Sequence, residues 1–77
     1  MEKVSSKSYI DLHKLLFHKK IHFTSDCELF PEFDVRVYVY DIYIEKNGEI
    51  IFETKNISNS KKLTIGSNMK NLEFEII

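Results

Sequence analysis

Residues 33–52 read FDVRVYVYDIYIEKNGEIIF, and the fold turns on how this stretch is read. Successive side chains of a strand point to opposite faces, so a sheet with one face in water alternates apolar and polar residues. This stretch does not. Val35, Val37 and Val39 fill one face while Tyr38, Tyr40, Ile42 and Ile44 fill the other, so both faces demand cover. Two arrangements meet that demand. In the first, a bulge near Val39-Tyr40 switches the face and the sheet bends so that both halves look into one core. In the second, the valine half is covered by the TSDCELFPEF segment (residues 24–33) or by a second molecule. The first is the expectation, because small sheets curl readily and exposed apolar patches are costly.

Asn47-Gly48 marks a hairpin that closes this strand. A two-residue loop would place Ile44 opposite Ile51 and mix polarity on both faces. A three-residue loop, Lys46-Asn47-Gly48 with Gly48 left-handed, pairs Glu45 with Glu49, Ile44 with Ile50 and Ile42 with Phe52. One face then carries Tyr40, Ile42, Ile44, Ile50, Phe52 and Thr54. The other carries Asp41, Tyr43, Glu45, Glu49, Ile51 and Glu53. Only this register sorts the polarity, and a one-residue slip would reassign every side chain.

Upstream, Ser8 followed by Asp11 marks a helix start, with the Ser oxygen placed to accept from a free backbone N–H. Over IDLHKLLFHKK (residues 10–20), Tyr9, Ile10, Leu12, Leu15, Leu16 and Phe17 form a broad apolar arc on a 3.6-residue period. Asp11, Lys14 and His18 lie opposite, and Lys19 and Lys20 are expected in the last turn, where cations offset the exposed carbonyls. Ile21-His22-Phe23 alternates as a short strand, and TSDCELFPEF reads as a connection in which Pro31 keeps Phe30 extended. After TKNISNSKK (residues 54–62), Leu63 and Ile65, then Leu72, Phe74 and Ile76, mark two more strands around a GSNMKN turn. The expected fold is a single α+β domain over residues 1–77. One N-terminal amphipathic helix packs on a mostly antiparallel sheet of four or five strands.

Composition bounds the function. With 77 residues, six Phe, four Tyr and no Trp, the chain has one modest core and favours strands. A single Cys27 makes no internal disulfide, so a reducing, cytoplasmic compartment is expected. No membrane span and no secretory signal is read, and Asn56-Ile57-Ser58 reads as a polar loop rather than a glycosylation site. The abundance of Lys, Ile and Asn fits a low-GC genome. Net charge is −1, against a general nucleic-acid binder. Its distribution is uneven: eight acids and two bases fall within residues 26–53, and lysines dominate both flanks.

No cofactor or metal is expected. His13, His18, His22 and Cys27 lack the close ligand pairs of zinc sites, and His13 and His18 diverge around the helix. Catalysis is not expected either, because a Cys27 nucleophile would need a histidine base and an oxyanion site that no motif supplies. The carboxylates of Glu45 and Glu49, at a hairpin tip, would be solvated.

The acidic face of the hairpin is the candidate site. Asp41, Glu45, Glu49 and Glu53 surround Tyr43 and Ile51, a pattern suited to a larger basic partner whose cations relieve the repulsion around an apolar anchor. A nucleic-acid-handling protein is the expected class of partner. Small inhibitors from viruses or mobile elements, including anti-defence proteins, act in this way as a class. Two alternatives stand beside it. Arg36, Tyr38 and Tyr40 share a face on which single-stranded nucleic acid would stack, with help from Lys55, Lys61 and Lys62. The valine face would otherwise serve a homodimeric structural module.

Overall fold

The computed structural model describes residues 1–27 and 30–77, with side chains at all of these except positions 27, 30 and 31. Among the described residues the chain forms β1 (Glu2–Lys3), α1 (Tyr9–Leu16), β2 (Lys20–Cys27), β3 (Phe30–Ile44), β4 (Ile50–Asn56), β5 (Lys62–Gly66) and β6 (Glu73–Ile76). The strands make one antiparallel sheet in the order β1-β6-β2-β3-β4-β5. The α+β class holds, with six strands where four or five were expected. The addition is β1, two charged residues that pair Glu2 with Phe74 and Lys3 with Glu73. So short and polar a strand carries no periodicity to read, and it blunts one edge of the sheet.

The bulge is where β3 needs it. Val39 pairs with Thr54 and Asp41 with Glu53, so Tyr40 is the extra residue and the facing of β3 inverts across it. Val37 and Val39 before the bulge, and Ile42 after it, are therefore buried in one core with Ile21, Phe23, Phe52, Ile65 and Phe74. Val35, the first valine of the same face, is half-buried against this core. The bulge also corrects the position of Tyr40, which leaves the core face and points outward with Tyr38. The backbone of the 24–33 segment departs from the expected connection as well: β2 runs on to Cys27 and β3 starts at Phe30, so most of the segment is ladder. The Cys27 side chain, and with it the question of its reactivity, lies outside the described residues, as does any cover that residues 27–31 of the TSDCELFPEF segment would give.

The hairpin has the expected three-residue loop. Ile44 faces Ile50, Ile42 faces Phe52, the Glu45 amide donates to the Glu49 carbonyl over 2.8 Å, and Gly48 has φ of +86°. The helix covers the core face through Leu12 and Leu16, both fully buried. Ser8 caps it, its hydroxyl oxygen accepting from the Asp11 amide at 3.3 Å, and the Tyr9 hydroxyl donates to the Ile42 carbonyl beyond the bulge.

Two expectations for the helix fail. Ile10 is 63 % exposed, because eight residues make barely two turns and the sheet contacts a narrower stripe than the apolar arc offers. The helix also ends at Leu16, with Phe17 extended and His18 left-handed at φ of +58°. Lys19 thus lies in the connection after the helix and Lys20 opens β2, so neither is in the last turn. The His18 amide donates to the Val39 carbonyl, and the Val39 amide to that of Lys19, which anchors the helix exit beside the bulge.

Candidate functional site

The helix covers one face of the sheet, and the opposite face is open. Its residues follow from the ladders, since directly paired residues point to the same side. At the hairpin end, Tyr43 pairs with Ile51 and Ile51 with Gly66; one level inward, Asp41 pairs with Glu53 and Glu53 with Thr64. All six candidate residues, Asp41, Tyr43, Glu45, Glu49, Ile51 and Glu53, therefore gather on one surface.

Three of the four acids have local hydrogen-bond roles invisible in the sequence. Asp41 Oδ1 accepts from the Ile42 amide at 2.9 Å, fixing the backbone just past the bulge. Glu53 Oε1 accepts from the Tyr43 hydroxyl at 3.3 Å and the Thr64 hydroxyl at 3.0 Å. Glu49 Oε2 accepts from the Asn68 amide at 3.1 Å, and its carboxylate lies so close over Gly66 that an added Cβ there would meet Oε2 at 2.5 Å. Glu49 thus leans toward β5 instead of confronting Glu45, which relieves the expected repulsion between them.

These contacts are to neutral donors, the amides of Ile42 and Asn68 and the hydroxyls of Tyr43 and Thr64. Among the described residues the ion pairs are Lys7–Glu2 and those of His22 with Asp34 and Glu75, and none reaches the hairpin acids. Tyr43, 37 % exposed, registers the resulting field. Its hydroxyl is held above the ordinary tyrosine pKa by partial loss of hydration, then by the charges of Glu53 and Glu45, the hydrogen bond to Glu53 and the charge of Asp41. Ile51 differs from expectation: at 6 % exposure it is already covered, so Tyr43 alone is the accessible apolar group of the patch.

Sequence reasoning missed a second cluster. His22, the middle of the expected short strand, is only 8 % exposed on the open face, with Nε2 at 2.5 Å from Asp34 and Nδ1 at 3.4 Å from Glu75. The alternation of Ile21-His22-Phe23 places His22 outward, but its acids arrive from β3 and β6, which only the register reveals. His13 stacks on Phe17 at 4.6 Å between centroids and Phe17 on His18 at 3.9 Å, so these two histidines serve an aromatic stack. Among the described residues no group of three His, Cys, Asp or Glu side chains is placed to hold a metal ion, and no helix is long and apolar enough to cross a membrane.

Arg36, Tyr38 and Tyr40 do share the open face, and Lys55 and Lys62 join the tyrosines around one shallow depression. Lys61 lies just before β5 and outside this group. No protein-family model, curated protein or solved structure matches the chain.

Proposed function

We propose that this chain is a non-enzymatic protein-binding module whose acidic hairpin face, Asp41, Tyr43, Glu45, Glu49, Ile51 and Glu53, docks on a larger basic protein. The observation that carries the reading is charge without a counter-ion: Asp41, Glu45 and Glu53 act on a half-exposed tyrosine, Glu49 shares their surface, and no cation of the described residues lies within 4 Å of these carboxylates. A partner's Lys or Arg side chains would supply those counter-charges, while the Tyr43 ring would provide a rigid contact that loses little conformational entropy on binding.

Such a face mimics a line of phosphates, so the partner is of the nucleic-acid-handling class and docking occupies its phosphate-binding surface. Inhibition follows from that occupancy. The single cysteine fits a reducing, cytoplasmic setting.

The test is affinity capture from host cells with the tagged parent chain and with a Glu45→Lys/Glu53→Lys variant, compared by mass spectrometry. A basic protein recovered by the parent and lost from the variant supports the reading. Identical recoveries would count against it.

A further inference from the structure

We propose that a second part of the open face, the row Lys20–Tyr38–Lys55–Lys62, binds single-stranded nucleic acid running across the sheet, independently of the acidic hairpin. The row is a product of three registers. Lys20 pairs with Tyr38, Tyr38 with Lys55, and Lys55 with Lys62, so four adjacent strands present one tyrosine and three lysines at a single level. At about 4.8 Å per strand the row spans about 14 Å.

Its charges are costly as they stand. Lys55 directly opposes Lys62, an arrangement that destabilises a sheet, and no carboxylate of the described residues pairs with either. An anion is the missing component. The aromatic groups specify which kind. Tyr38 is 37 % exposed with its ring on the open face, Tyr40 joins it because of the bulge, and Lys55 Nζ sits 5.9 Å from the Tyr40 ring centroid. His18 lies nearly parallel to Tyr38 at 6.1 Å, and Arg36 is the next outward residue of β3. Flat rings among unpaired cations suit a strand whose bases are unstacked, because every base has a face to stack and every phosphate a charge to pair. A duplex hides its bases and would use the lysines alone.

The acids set the direction. Asp41 and Glu53 bound the row on the hairpin side; on the other, Glu75 lies level with His22 and Arg36, and Asp34 one outward step beyond them. A polyanion running along the strands would meet one of these blocks; one crossing them follows the lysines.

The experiment is fluorescence anisotropy with labelled dT12 and U12 at 50 mM salt, with a 12-bp duplex as competitor. Saturable binding of either oligonucleotide is expected, the tighter of the two showing whether DNA or RNA is preferred. Raising salt to 200 mM should weaken it roughly 20-fold for three phosphate contacts on a single strand. Lys55→Glu/Lys62→Glu should weaken it at least tenfold, and Tyr38→Ala about fivefold or more. Thermal melts of each variant control for folding, and Tyr38→Phe, which keeps the ring, should bind like the parent. No saturable binding at 50 mM salt would overturn the proposal. So would a duplex that competes equally well together with a Tyr38→Ala variant that binds like the parent, the behaviour of a bare cationic patch. Glu45→Lys/Glu53→Lys should leave oligonucleotide binding undiminished, which separates failure here from failure of the protein-docking reading.

Discussion

Val39 lies directly opposite Thr54, and both are completely buried, yet the next pair along the ladder is Asp41 with Glu53. Tyr40 is the residue that β3 has to spare. Through it the strand serves one core from both halves, and its outward face passes from the basic row at Tyr38 to the acidic patch at Tyr43. The two candidate surfaces therefore share a structural cause.

Removing Tyr40 tests that cause. Deleting Tyr40 alone would join Val39 to Asp41 in unbroken alternation and leave Ile42 facing the core, so a cooperative thermal transition should survive. Deleting Tyr40 and Asp41 together would turn Ile42 outward, at roughly 1.5–3 kcal/mol for each core side chain so exposed, and the transition should be lost. A single deletion that unfolds as readily as the double one would show that Tyr40 is not the spare residue.

Gly48 tests the hairpin register. Its φ of +86° strains any residue with a Cβ, and an added Cβ would touch nothing, so the cost is purely conformational. Gly48→Ala should destabilise by about 1 kcal/mol in urea unfolding, and Gly48→Asn by less, since Asn tolerates the left-handed region. Equal stability of the parent and the Ala variant would contradict this loop.

Much of the fold was legible within this one hairpin, because the Asn-Gly turn, the sorting of polarity and the doubled apolar faces all constrain the same few residues. Ser8 was legible as a cap for the same local reason. What escaped depends on registers between strands distant in sequence. Nothing near His22 announces Asp34 and Glu75, and nothing near Lys20 announces Tyr38, Lys55 and Lys62. Gly66, read as turn punctuation, makes room for the Glu49 carboxylate. The apolar arc of α1 overstated its contact, since periodicity gives the face of a helix but not how much of that face the sheet reaches.

Tyr43 provides a pH signature. With the hydroxyl pKa raised in the folded state, an unfolded tyrosine loses its proton first, near pH 10. The contribution of Tyr43 is therefore fully present below pH 10 and is lost as pH rises through the folded value. Urea midpoints measured from pH 8 to pH 11 should fall further for the parent than for Tyr43→Phe. Parallel curves would show that the carboxylates exert no net field on the ring.

Charge and ring should separate in binding. Once a partner is in hand, Tyr43→Ala should weaken the complex by about 1–3 kcal/mol at any salt concentration. Glu45→Lys, which disturbs no hydrogen bond of its side chain found here, should act mainly on the association rate. Its effect should fade as salt rises, with screening over about 8 Å at physiological ionic strength. In the free protein Glu45→Lys should alter stability by no more than about 0.5 kcal/mol, read from a thermal melt.

The most direct measurement of the docking claim is site-specific photo-crosslinking in host cells, with a benzophenone side chain at position 43 and, as a control, at position 10, which is exposed on the helix side of the molecule. The account expects a discrete adduct with a basic protein from position 43, none from position 10, and loss of the adduct when Glu45→Lys is added. An adduct from position 10 alone, or one from position 43 that survives Glu45→Lys at low salt, would contradict it.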